Sequence, residues 1–204
     1  MRLWIDTDIG TNVDDAVALL GAVAHPAVEL VGVSTVGSDP ERRAAVAVGL
    51  LAAAGVDLGS VVVAAGAEAA VAGVASSGAE ALLAIGPLTN VAAMTAAGVR
   101  PAGLTIMGGA LRPVEHRGEL RAVEHNFGSD PAAAAAVLAV PGAVLVPLDA
   151  TAATRLDDRM VAKLVATAPV LEPMVWAWIA QWGEVVLHDP AALLIAAGDG
   201  SELG

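Results

Sequence analysis

An α/β single domain, with a mainly parallel β-sheet flanked by helices, is the fold class this sequence predicts. Three observations carry the prediction. Short β-branched runs alternate with longer Ala-rich stretches along the chain. The Ala-rich stretches open near Asp, Asn, Ser or Pro, and several stop at Gly or Pro, as helices do. Apolar strands that alternate with helices imply right-handed crossovers and a sheet covered on both faces. The length of 204 residues suits one domain that buries roughly 70% of its unfolded surface, and is short for two.

The elements follow in order. Residues 3–5 form a first strand that runs straight into a polar turn. Residues 13–24 form a helix, with Asp14 and Asp15 in its first turn, where the helix dipole favours negative charge. A second strand spans 28–35 and a second helix 40–54, with Pro40 at its first position. Strands are expected at 61–64, 81–85, 104–107 and 143–147, and helices at 91–97 and 131–140. The Ala tract at 132–136 is a strong helix former. Beyond Arg155 the chain reads as helical to its end, with Trp176, Trp178 and Trp182 close together. There is no internal repeat, linker or low-complexity tail.

Composition excludes several classes. The 22 acidic residues against 10 basic ones give a net charge of −12, which repels nucleic-acid backbones. One Phe, four Trp and no Tyr leave little for base stacking. With no cysteine there is no disulfide framework, thiolate zinc site or Cys nucleophile. Mean hydropathy is positive, yet the longest apolar run, 131–148, is cut by Pro141, Gly142 and Pro147. The chain starts without a basic and apolar leader, so no membrane association and a cytoplasmic location are expected.

Ligands of such sheets sit at the carboxyl ends of the strands, so the polar groups there matter most. The first strand runs into Asp6-Thr7-Asp8-Ile9-Gly10-Thr11-Asn12-Val13-Asp14-Asp15. Four carboxylates on one turn repel one another unless a cation intervenes, and oxygen-only donors favour a hard ion, Ca²⁺ or Mg²⁺. The plainer alternative is a solvated acidic loop with an Asp cap, although a cap needs one Asp. Gly86-Pro87-Leu88-Thr89-Asn90 follows the fourth strand and reads by itself as a strand-to-helix turn. Met107-Gly108-Gly109 follows the fifth, where glycines let a ligand approach the backbone. Glu124-His125-Asn126 precedes the helix at Asp130-Pro131, and His188-Asp189-Pro190 precedes the last one. Either of these could be no more than a helix start.

Taken together these segments resemble the inosine–uridine-preferring nucleoside hydrolases, the Ca²⁺-dependent N-ribohydrolase family. DTDIGTNVDDA is similar to its N-terminal aspartate signature, VGVSTVG to its second-strand segment and GPLTNVA to its mid-chain motif. IMGGA, EHNFGSDPAAA and LHDPAAL resemble the later motifs, in the right order. The resemblance implies a Rossmann-like core, a Ca²⁺ cofactor, a small-molecule nucleoside as partner, and homo-oligomeric assembly. It implies Ca²⁺ held by the carboxylates of Asp8, Asp15 and Asp189 and by the backbone carbonyl of Thr89. It implies Asp14, Glu124 and Asn126 on the ribose hydroxyls, and Met107 against the sugar. Asp8 would activate water with Asp6 in support, and His188 would protonate the leaving base. That set suits cleavage of an N-glycosidic bond, which passes through an oxocarbenium-like state and needs an activated water and an acid.

The chain departs from the family pattern in places. After Gly66 a longer lid loop with a His-Gly segment is expected, and only Glu68 to Glu80 stands there. The ribose-binding Asn before Glu124 is replaced by Gly118 or Glu119, and His125 stands where Phe is usual. The chain stops soon after Asp189, so the family's closing strands are expected to be missing. Two other readings stay open. One is a non-catalytic Ca²⁺- or ribose-binding descendant. The other is a haloacid-dehalogenase-like phosphatase built on Asp6-Thr7-Asp8, although the only lysine, Lys163, lies in an ordinary helical stretch. The three tryptophans are expected in the core or at an interface, with a base pocket as the alternative.

Overall fold

The computed structural model describes residues 1–116 and 118–199. In chain order the elements are β1 (Arg2–Thr7), α1 (Asp14–Ala24), β2 (Glu29–Thr35), α2 (Pro40–Ala53), β3 (Val62–Ala65) and α3 (Gly66–Ser77). Then come β4 (Ala81–Ala84), α4 (Thr89–Ala96), β5 (Gly103–Met107), β6 (Val114–His116), β7 (Glu119–Arg121), α5 (His125–Ser129) and α6 (Pro131–Leu138). The last are β8 (Val144–Val146), α7 (Leu148–Thr151), α8 (Asp158–Thr167), a 3-10 turn (Pro169–Leu171), α9 (Glu172–Trp182) and α10 (His188–Ala197).

Six strands form one sheet in the order β3-β2-β1-β4-β5-β8, every neighbouring pair parallel. From β1 the chain builds outward to β3; it then returns to β4 and builds the other way. The strand order therefore reverses between β1 and β4, which opens a crevice at their carboxyl ends. This single α/β domain with a parallel sheet is the fold class expected from the sequence.

Strand periodicity divides the core. In β1, Leu3 and Ile5 face one layer, with Leu19 of α1, Leu51 of α2 and Leu193 of α10. Trp4 faces the other, with Val74 of α3, Met94 of α4 and Val137 of α6. In β4, Leu83 joins the first layer and Leu82 the second. Side chains that alternate about the strand axis thus explain why these runs are apolar throughout: both faces are covered.

Trp4 also explains two glycines. Its ring fills space where a Cβ on Gly32 would lie 2.1 Å from Cζ3, and one on Gly73 would lie 2.4 Å from Cη2. Gly32→Ala is therefore expected to destabilise the protein by about 3 kcal/mol through overpacking. Urea unfolding measures it, and a loss under about 1 kcal/mol contradicts the packing argument.

Two segments differ from expectation. Residues 68–80, where a shortened lid loop was expected, belong mostly to helix α3, bounded by Gly66 and Gly78 at positive φ. They make the crossover that a parallel β3–β4 connection needs. The polar stretch 112–121, where no strand is expected from the sequence, contains the antiparallel β6–β7 hairpin. The helical run beyond Arg155 extends through Ala197, interrupted by one antiparallel bridge between Arg155 and Val186; residues 200–204 lie outside the described residues. No single described helix is long and apolar enough to cross a membrane.

Candidate metal centre and active-site cavity

A cavity of about 270 Å³ opens at the carboxyl ends of β1, β4 and β5. Asp8, Asp14, Asp15 and Asp189 line it, as do Met107, Glu124, Asn126 and His188. The tertiary fold thus brings together eight of the nine residues singled out from the sequence. Their carriers are the β1–α1 turn, the end of β5, the start of α5 and the start of α10.

Asp14, Asp15 and Asp189 are buried, and one oxygen-bearing ligand atom from each lies within 4.8 Å of the others. At an effective dielectric of about 20, each ionised pair at that separation repels by about 3 kcal/mol. Burial, and then the charges of Asp8 and Asp14, push the Asp15 carboxyl well above the usual carboxylate range. Burial, followed by Asp14, Asp15, Asp8 and Glu124, does the same to Asp189. Only protons or a cation make this arrangement stable. The N-termini of α1 and α10 also point their positive dipole ends at it. Three carboxylates and no nitrogen or sulfur donor form a group that could hold a hard metal ion. Thr7 Oγ1 donates to Asp15 Oδ1 and in turn accepts from the Ile9 amide, which orients Asp15.

Asp8 stands apart from that trio. Its Oδ2 lies 3.8 Å from His125 Nε2. The contact with Asp8 is the main cause that raises the His125 pKa above its usual value, against partial burial. Met107 and Asn126 form the cavity wall: Asn126 Nδ2 donates to the carbonyls of Met107 (3.1 Å) and Ile85 (3.3 Å). Its amide oxygen is the group left for a ligand. His188 is oriented through Nδ1, 2.8 Å from Thr151 Oγ1.

Glu124 is a structural bracket as well as a cavity residue. Its carboxylate accepts from the amides of Asn126 (2.7 Å), Gly109 (2.9 Å) and Phe127 (3.1 Å), which ties the end of β5 to the start of α5. Gly108 and Gly109 serve this joint. A Cβ on Gly108 would lie 2.6 Å from the Phe127 ring, so the close approach read from Met107-Gly108-Gly109 is made by Phe127 and not by a ligand.

Two of the expected ligands fall outside the carboxylate group, in which Asp14, expected on the ribose, stands instead: Asp8 and, further removed, Thr89. Thr89 does not line the cavity; it is exposed, and its hydroxyl donates to Asp130 at 2.7 Å. The strand end that faces the cavity is Ile85, four residues earlier. Asn90 of the same motif turns inward, donating to Asp6 Oδ1 (2.8 Å) and to the Thr35 carbonyl (3.0 Å). Sequence reasoning missed Ile85, Arg121 and the inward role of Asn90, because an apolar strand end and a helix-start asparagine look ordinary, and it gave His125 no role. The tryptophans take no part: Trp178 is in the core, Trp176 and Trp182 are about half exposed, and none lines the cavity.

Asp6 is fully buried, accepts from Ser34 and Asn90, and leaves Oδ2 without a partner. Burial pushes its pKa up to about 7. A carboxyl sealed away from the cavity is no nucleophile, and exposed Lys163 does not line that cavity, so the phosphatase reading is not favoured. Asp6 titrates near 4 when unfolded, so between about pH 4 and 7 the folded state binds more protons. Stability in chelator is therefore expected to fall as pH rises through that window, by about 4 kcal/mol for Asp6 alone. Asp15 and Asp189, whose carboxyls are also raised by burial and neighbouring charge, add to the fall. Thermal unfolding from pH 4.5 to 8 in chelator checks it, and a melting temperature rising across that range contradicts it.

Comparison with known proteins agrees with this architecture. No curated protein matches the chain. Solved structures of similar fold include an inosine-guanosine nucleoside hydrolase, 22% identical with a TM-score of 0.78, matched over 96% of this chain and 78% of that one. A purine-preferring ribonucleoside hydrolase from Gardnerella vaginalis is 21% identical, with a TM-score of 0.72 over 97% and 80% of the two chains. The type III effector protein XopQ, complexed with adenosine diphosphate ribose, is 18% identical, with a TM-score of 0.73 over 100% and 82%. At these identities the structures establish a shared fold. The family model for inosine-uridine preferring nucleoside hydrolases matches residues 69–202, well over half of the sequence. By that match, and with the sheet order and carboxylate group described above, the chain belongs to the inosine-uridine preferring nucleoside hydrolase family.

Proposed function

We propose that this protein hydrolyses the N-glycosidic bond of ribonucleosides to ribose and free nucleobase, with Ca²⁺ as cofactor. The observation that carries the reading is the meeting of Asp14 and Asp15 with Asp189, from opposite ends of the chain, inside 4.8 Å and in a cavity that also holds Asn126, Met107 and His188. Six to eight oxygen ligands suit Ca²⁺, and waters and ribose hydroxyls would complete the three carboxylates. When bound, the ion orients the ribose diol and makes water a better nucleophile at neutral pH.

The chain's own groups do the rest. Asp8 accepts a proton from the attacking water at the cavity wall. Asp14 keeps one oxygen in the carboxylate group and turns the other to a ribose hydroxyl, as does the Asn126 amide oxygen. Glu124 holds the wall in register through its three amide bonds and offers its charge to the sugar. Met107 packs against the ring, and the acidic surroundings favour the developing positive charge of the oxocarbenium-like state. His188, with Nδ1 engaged by Thr151, uses Nε2 to protonate the departing base. Homo-oligomeric assembly belongs to the same reading and is supported by the exposed indoles of Trp176 and Trp182.

The test is ribose release from inosine, guanosine, uridine and adenosine, before and after chelation and after Ca²⁺ is restored. Release that stops with chelator and returns with Ca²⁺ supports the proposal. A folded, Ca²⁺-binding protein that releases no ribose from any of the four leaves only the non-catalytic binding module.

A further inference from the structure

We infer that Arg43 is a positioning residue for the active-site turn: reaching back from α2, its guanidinium fixes the chain after β1 and, through it, the carboxylates presented to the cavity. The inference rests on the metal reading above. Arg43 does not line the first cavity; it lines a second one, of about 260 Å³, beside Ile9, Thr11 and Ser38. It therefore acts on the site through other groups. Two bonds join the turn to the β2–α2 loop: Arg43 Nη1 donates to the Ile9 carbonyl at 3.0 Å, and Nε to the Ser38 carbonyl at 3.2 Å. Ile9 directly follows Asp8 and is fully buried. Its amide donates to Thr7 Oγ1, whose hydroxyl donates to Asp15 Oδ1. A continuous path of hydrogen bonds thus runs from Arg43 through Ile9 and Thr7 to a carboxylate of the metal group. Beyond Ile9 the turn is exposed at Gly10 and Thr11, and Gly10 takes a positive φ of 108°, so the path of the chain depends on what holds Ile9.

Charge and position predict opposite effects, which separates them. Burial and the charges of Asp8 and Asp14 oppose ionisation of Asp15, whereas the Thr7 bond and the Arg43 charge favour it. As a charge alone, Arg43 would repel a cation, and its removal would tighten Ca²⁺ binding. As a clamp, its removal deprives the buried Ile9 carbonyl of that donor and lets the turn drift, so Ca²⁺ binding weakens. Groups that orient metal ligands typically change affinity or activity by about 10- to 100-fold.

Calorimetric Ca²⁺ titration of the full chain reads the sign directly. Arg43→Met is expected to bind Ca²⁺ at least about tenfold more weakly than wild type, with kcat for ribose release lowered by a similar factor. Arg43→Lys, which keeps the charge and one donor for the Ile9 carbonyl, should stay within about threefold of wild type. In chelator, hydrogen exchange over residues 8–13 should speed up in Arg43→Met while β4 stays protected. Gly32→Ala, destabilised through Trp4 in the other core layer, should melt lower yet keep wild-type Ca²⁺ affinity, which a general loss of stability would not allow. Unchanged or tighter Ca²⁺ binding by Arg43→Met overturns the inference, as do equal weakening in Arg43→Lys and unchanged exchange over 8–13. Wild type that binds Ca²⁺ but releases no ribose removes the proposed activity and leaves the titration to decide this inference. Wild type that binds no Ca²⁺ overturns the metal reading, and this inference with it.

Discussion

Asp189→Asn is expected to lose Ca²⁺ binding and to cut ribose release by at least about a thousandfold, while making the ion-free protein more stable. The two halves have one cause. Asp189 is the member of the carboxylate group that arrives from α10, whereas Asp14 and Asp15 both open α1. Without its charge, two carboxylates on one helix turn remain, too few oxygen anions to hold a hard cation. Yet in chelator the same charge is a liability, because burial and four neighbouring carboxylates already drive its pKa up. Asparagine keeps the shape and removes the repulsion. Wild type should gain about 2.7 kcal/mol from Ca²⁺ at a hundred times its dissociation constant. The variant should gain nothing from Ca²⁺, and should melt above wild type in chelator. Thermal unfolding with and without Ca²⁺ reads both effects, and a retained Ca²⁺ shift refutes the assignment.

For Asp8→Asn a different pattern is expected: kcat falls by about a thousandfold, in the range of a lost general base, with KM and Ca²⁺ affinity within about threefold of wild type. The separation follows from where Asp8 stands. It faces His125 across 3.8 Å and lies outside the group formed by Asp14, Asp15 and Asp189. Asparagine fills the same space and still meets the imidazole, but it accepts no proton. Steady-state kinetics on the best nucleoside, together with calorimetry, decide the matter. A parallel loss of Ca²⁺ affinity and kcat would make Asp8 a metal ligand before anything else.

Both expectations concern residues that stand out in the sequence, and the reason is chemical. An Asp-rich turn after a strand is unfavourable unless something compensates the charge, so Asp8, Asp14, Asp15 and Asp189 are conspicuous wherever the fold places them. The strands were legible for a similar reason: both faces of β1 and β4 are covered, which forces continuous apolar runs. Local pattern failed where one residue's role depends on a neighbour distant in sequence. Gly108 and Gly109 read as room for a ligand and are room for Phe127. Thr89 read as a carbonyl ligand for the metal; it does not line the cavity, and its hydroxyl donates to Asp130. Asp6 read as one more acidic strand-end residue and is sealed beneath Ser34 and Asn90. Residues 68–80 read as a clipped lid and make the α3 crossover.

By itself the sequence determined the class of fold and the supply of carboxylates at the strand ends, since each depends on composition and on periods of two or a few residues, while its motifs in their order carried the resemblance to the family. The tertiary structure alone decided how those carboxylates are shared out. Distances of a few ångströms between α1 and α10 place three of them in one group, and the turn after β1 sets the fourth 3.8 Å from His125 of α5. No local pattern encodes that choice, because electrostatic energy depends on separation in space and not along the chain.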